Sequence, residues 1–170
     1  MNSLTVPTRG ICRGIGLATS LALAGCASSP LELDGRAVSG TGPAHVLEDS
    51  GHIGDTVVWG GEILEVRNLE DHTELVVASY PLDRADRPRL KRNAGVRFVL
   101  EHPGFLEPAA FRPGRFVSVL GRVEGLDERR VGDYPYKHPV MSAEDLYLWP
   151  ADTREWDRGP RFGVGIGISL

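Results

Sequence analysis

The chain has 170 residues, 41% of them hydrophobic and 25% charged, which suits one globular domain and is too short for two with linkers. A formal net charge of −4 argues against a broad basic footprint for nucleic acid, two cysteines cannot make a disulfide framework, and no CxxC or Cys/His zinc spacing is present. The 21 glycines and 12 prolines favour short strands joined by turns over long helices.

The first 25 residues have the layout of a secretory signal. Arg9 and Arg13 make a basic start without an acid, and residues 14–25, GIGLATSLALAG, are apolar or small. A comfortable membrane helix needs about 20 apolar residues, more than this run supplies. It ends Leu23-Ala24-Gly25-Cys26, which resembles a bacterial lipobox. There the cysteine thiol forms a thioether to diacylglycerol, and after cleavage its new α-amine takes a further acyl chain. Each buried CH₂ contributes roughly 0.8 kcal/mol, so two or three chains on an S-diacylglycerol, N-acyl Cys26 would hold the protein firmly to a membrane. Ala27 follows, and the absence of Asp there points to export to the outer membrane. Loss of residues 1–25 removes two arginines and takes the charge from −4 to −6. Cys12 leaves with the signal.

Residues 26–44 are rich in Ser, Gly, Pro and Ala and read as a lipidated, flexible tether. A domain over 45–150 follows. Its first hairpin is expected over about 56–81, with the turn at NLEDH and with Gly60 and Gly61 where a strand would bend. DRADRPRLKRNAG reads as a polar, basic loop. VRFVLEH (96–102) is a third strand, and PGFLEPAAFRPG holds at most a short helical turn. RFVSVLGRVEGL (115–126) is the clearest strand, with Gly121 in its middle. DERRVGDYPYKHP reads as a loop, and VMSAEDLYLWP (140–150) as a fifth strand. The fold class is therefore all-β, a small five-stranded OB-like β-barrel, with an open β-sandwich as the alternative. The tail, 151–170, ends RFGVGIGISL, whose alternation with glycine suits an additional peripheral strand.

The segments GDTVVWGGEILEVRN, YPLDRADRP, GFLEPAAFRPGRFVSVLGRVEG and YPYKHPVMSAEDLYLW resemble, in order and spacing over about 45–150, the Slp family of outer-membrane lipoproteins, the starvation-inducible lipoprotein group. The resemblance implies a lipoprotein of the bacterial outer membrane, facing the periplasm, without an established enzymatic activity. Cys26 is the one functional residue it carries over.

Catalytic chemistry is sparse. The five histidines show no HExxH spacing, and four fall in expected loops or turns, where a solvated surface role fits. Glu62 and Glu65, three apart on one strand, are expected to face opposite sides, which disfavours a glycosidase pair. Ser118 lacks a nucleophile elbow, and GVGIG lacks a helix after it. No metal or cofactor is expected. The charged cluster Arg84, Arg87, Arg89, Lys91 and Arg92 reads first as a solvated loop. It also offers Arg84 and Arg87 as contacts for an envelope anion. Trp59, Tyr147 and Trp149 are expected in the core, and Tyr134 and Tyr136, on a loop, are the candidate ligand-binding aromatics. The expected function is a non-enzymatic, periplasm-facing role in envelope maintenance or stress, anchored in outer-membrane lipid and partnered by an envelope protein or glycan, not nucleic acid. The alternatives are an OB-type binding module for an envelope glycan, lipid or peptide, and a cell-wall hydrolase.

Overall fold

A computed structural model describes residues 28–131 and 133–158. Cys26, Ala27 and the 161–170 segment lie outside them. Five strands are present: β1 (Thr56–Asn68), β2 (His72–Ser79), β3 (Arg97–Pro103), β4 (Phe116–Val131) and β5 (Tyr134–Leu148). They close into a barrel in the order β1-β2-β3-β5-β4, with β4 returning to β1. β3 and β5 pair in parallel over Val99–Glu101 and Val140–Ser142, and the other pairs are antiparallel. This closure is the OB arrangement expected from the strand pattern, and it rules out the open sandwich.

Alternation builds the core. Val57, Trp59 and Ile63 of β1, Leu75 and Val77 of β2, Phe98 and Leu100 of β3, Val117, Val119 and Val123 of β4 and Met141 of β5 fill the interior. A short helix, α1 (Pro43–Glu48), adds Val46, and one helical turn after Glu107 brings Leu106 and Phe111 against the same cluster. Two glycines let backbones approach where the barrel curves. A Cβ on Gly61 would lie 1.8 Å from the Ala78 carbonyl oxygen, and one on Gly121 would lie 2.1 Å from that of Ser142.

Three local expectations need correction. The register of β1 against β2 shifts between Ile63 and Glu65, so Glu62 pairs with Ala78 and Glu65 with Val76. The bulge adds one residue, which puts Glu62 and Glu65 on the same outer face. Second, 127–139 is no loop. Asp127 pairs with His138, Arg129 with Tyr136 and Val131 with Tyr134, so β4 and β5 run on as a two-stranded arm past the barrel. Its charged sequence lacks core alternation because neither face enters the core. Pro135 and Pro139 are tolerated because β5 there pairs only with β4 and its far edge holds no ladder. Third, His138 stands on that arm and is only 2% exposed, so a solvated role does not fit it.

The segment before the barrel makes specific contacts. Leu31 is buried, Glu32 N–H donates to Asp145 at 2.7 Å, Arg36 pairs with Glu144, and Ser39 bridges Val57 in parallel. Trp59 Nε1 donates to the Thr41 carbonyl at 2.7 Å. On the outer side of β4, Phe116 and Trp149 pack with Tyr80, Tyr147 and Trp156, the last from a short 3₁₀ segment. Trp59 is in the core as expected, whereas Trp149, though buried, and the half-buried Tyr147 belong to this outer aromatic cluster instead.

Candidate functional site

The β4–β5 arm leans over the outer face of β1, β2 and β3, leaving an open cleft of about 700 Å³. Its wall comprises Glu65 and Arg67 of β1, Val76 of β2, Arg97 of β3, Asp127, Arg129 and Arg130 of β4, and His138 of β5. The β1 bulge matters here, since it turns Glu65 toward the side that Arg67 also faces.

An ion pair between a buried glutamate and a half-buried arginine fixes the arm. Arg129 Nη1 and Nη2 each donate to one oxygen of Glu74 at 2.8 Å, and its Nε donates to Asp127 at 2.6 Å. Arg67 adds a longer contact to Glu74 of 3.4 Å. The hydrogen bonds from Arg129 hold the Glu74 carboxyl below the usual glutamate range, against the cost of burial. Glu74 in turn holds the Arg129 guanidinium more firmly protonated.

His138 completes the inner end of the cleft. Its Nδ1 lies 3.0 Å from the Tyr136 carbonyl oxygen. A carbonyl only accepts, so Nδ1 carries the hydrogen and the neutral ring keeps its lone pair on Nε2. Burial pushes the pKa of His138 down, and the charges of Arg129 and Arg97 act in the same direction.

The four binding candidates read from sequence are dispersed. Tyr134 stands 80% exposed at the arm tip, whereas Tyr136 stacks edge-on against His138 with 5.0 Å between ring centres. Arg87 donates to Asp83 and to the Trp156 carbonyl, each at 2.9 Å, and so ties down its own loop. Arg84 is exposed on that loop, and neither arginine lines the cleft. DERRV and YPYKH carry no strand pattern in the sequence, so neither the clasp nor the cleft is legible there.

Two other clusters bear on chemistry. His72, Glu74 and Glu101 bring ligand atoms within 4.8 Å of one another. Both oxygens of Glu74 already accept from Arg129, however, and a carboxylate neutralised by a guanidinium is a poor cation ligand. Ser118 Oγ donates to the Asp86 carbonyl and accepts from Trp149 Nε1, a structural role.

Comparison with known proteins sets this geometry in a family. A solved small single-stranded DNA-binding protein from Streptomyces coelicolor overlaps 58% of this chain and 96% of its own, at 15% identity and a TM-score of 0.34, too low to bear on fold or ligand. Among curated proteins, the uncharacterized lipoprotein YeaY of Escherichia coli K12 is 30% identical over 149 residues, 83% of this chain and 74% of that protein. The outer membrane protein Slp of the same organism is 26% identical over 136 residues, 78% of this chain and 72% of its own length. The family model described as "Outer membrane lipoprotein Slp family" matches residues 23–163, a span that takes in the Leu23–Cys26 box, the barrel and its arm. The chain therefore belongs to the outer membrane lipoprotein Slp family.

Proposed function

We propose that the protein is a lipid-anchored binding module on the periplasmic side of the outer membrane, serving the envelope without catalysing a reaction. The observation that carries this is the cleft under the arm. In OB folds the outer face around strands 2 and 3, flanked by the loop between strands 4 and 5, is where oligonucleotides and oligosaccharides bind. Here that flank is built as a clasped strand pair with a concave space beneath it. A neutral ring nitrogen and several guanidinium groups converge there. The anchor is Cys26, supported by a family match that begins at Leu23 and by lipoprotein relatives.

A non-catalytic role fits the site's electrostatics. A glycosidase-type general acid needs a carboxyl kept protonated near neutral pH. Glu74, the buried carboxyl at the cleft, is pushed the opposite way by Arg129.

The test has two parts. Cys26→Ser should abolish acylation of the N-terminal peptide by mass spectrometry, and Ala27→Asp should move the protein to inner-membrane fractions in a host using that sorting residue. Isotope-labelled mature protein titrated with soluble cell-wall and lipopolysaccharide-core fragments should show shifts confined to Arg97, Arg129 and His138. Shifts confined instead to the Trp149–Trp156 side would overturn the cleft as the binding site.

A further inference from the structure

We propose that the cleft takes its ligand by an anionic group, a phosphate or a carboxylate with a hydroxyl beside it, held by Arg97 and His138. This rests on the reading of the cleft as a binding site and names the chemistry of what it binds.

The four arginines of the cleft are not equivalent. Arg129 is fully engaged by Glu74 and Asp127. Arg67 leans on Glu74 and Glu65, and Arg130 on Asp133. Arg97 is half-buried, and its side chain has no hydrogen-bonded or ion-paired partner among the described residues. Arg97 stands opposite Ala78 and two residues before Val99 on the same outer face. It shares the cleft wall with the carboxylates of Glu65 and Asp127 and pairs with neither. A guanidinium fork matches a phosphate or carboxylate with two parallel bonds, which an external anion would supply.

The register places a second group beside it. Val99 pairs with Val140 in parallel, so two residues back along both strands Arg97 and His138 flank the point where β3 and β5 part. Both line the same cleft. His138 is a poor second cation, because burial disfavours its charged form and its Nδ1 hydrogen is taken by the Tyr136 carbonyl. Its Nε2 lone pair can accept from a hydroxyl. The pair therefore reads an acid next to a hydroxyl, as in a sugar phosphate, a sugar acid or a phosphoglycerol headgroup. The cleft wall sets four arginines against Glu65 and Asp127, a locally positive surface that would concentrate such an anion.

The experiment follows the Arg97 Nε–H and His138 ring signals by NMR, using the mature acylated protein in lauryldimethylamine-oxide micelles. Glucose 1-phosphate and galacturonate are the soluble acids, galactose is their neutral counterpart, and phosphatidylglycerol against phosphatidylcholine added to the micelles tests a lipid source. The expected result is that both signals move with an acid and far less with galactose or phosphatidylcholine. Whether the soluble acids or phosphatidylglycerol act identifies the source. Arg97→Gln, with unchanged core signals, should weaken binding roughly ten- to hundredfold, and Arg97→Lys should fall between. Equal binding of galactose at these signals would keep the cleft as a site and overturn the anion. Unchanged affinity in Arg97→Gln, or still signals with every acid at tens of millimolar, would overturn it too.

Discussion

Glu74 of β2 and Arg129 of β4, 55 residues apart in the chain, are joined by two bonds of 2.8 Å. The pair is what holds the β4–β5 arm over the sheet, and the cleft exists because the arm is held. Their side chains are 10% and 20% exposed, so water screens the pair little. Removing one partner leaves the other charge buried. Glu74→Gln should therefore cost about 1–3 kcal/mol of unfolding free energy, below the figure for a fully enclosed pair. Arg129→Gln should cost a similar amount, and the double variant less than the sum. Denaturant titrations around this cycle check it, and simple additivity would show that the two do not interact.

Acid should weaken the domain in two stages. His138 and His102 fold with pKa values pushed down, in both chiefly by burial. The unfolded chain therefore takes up protons that the folded one refuses, starting near the ordinary histidine value of about 6.5, and stability falls as pH drops through it. Glu74 is depressed by Arg129, so its contribution is present above the ordinary glutamate value of about 4.3 and is lost as pH falls further. Melting temperature against pH should show both declines, with the upper one reduced in His138→Gln and the lower one reduced in Glu74→Gln. Identical profiles for all three proteins would contradict the assignment.

The barrel's tight points should be intolerant of a methyl group. Gly121→Ala drives a Cβ to 2.1 Å from the Ser142 carbonyl, and Gly61→Ala is tighter still against Ala78. Each should cost about 1–3 kcal/mol or more. Gly40→Ala is the control, since a Cβ there meets nothing within 4 Å. Val119→Asp, at a fully buried position, should unfold the domain by burying an unpaired charge. Thermal melts of the four proteins decide this.

Trp59 ties the core to the preceding segment. Trp59→Phe keeps a ring against Phe98 but loses the 2.7 Å bond to Thr41. The expected loss is about 1 kcal/mol. Proteolysis should then cut faster between Gly35 and Gly42, and an unchanged cleavage rate would show that the bond does not hold the segment.

The parts of the fold that were legible in sequence are those whose side chains face the core. Val117, Val119 and Val123, or Leu75 and Val77, recur at every second or fourth position because they point into the barrel, and five apolar runs, with glycines inside β1 and β4, give the barrel. The arm was illegible because it lies beyond the core, so no apolar alternation marks DERRV and YPYKH as strands. The bulge at Ile63–Glu65 has no residue signature, yet it reverses which face Glu65 occupies. The clasp needed a contact between β2 and β4, which do not pair, so no local pattern could reveal Glu74 and Arg129 as partners. Arg97 was hidden for the opposite reason: at the start of VRFVLEH it reads as an ordinary strand-end charge.

The most direct measurement asks what occupies the cleft in the cell. A photo-crosslinking amino acid replacing Glu65, which lines the cleft and has a side chain 59% exposed, should capture a defined envelope component. The same group replacing Arg154, 86% exposed and outside the cleft, is the control. The expected result is one adduct mass at position 65, absent at 154 and lost when Arg97→Gln is added. Adducts of the same kind at both positions, or none at 65 under conditions where 154 reacts, would contradict a binding site beneath the arm.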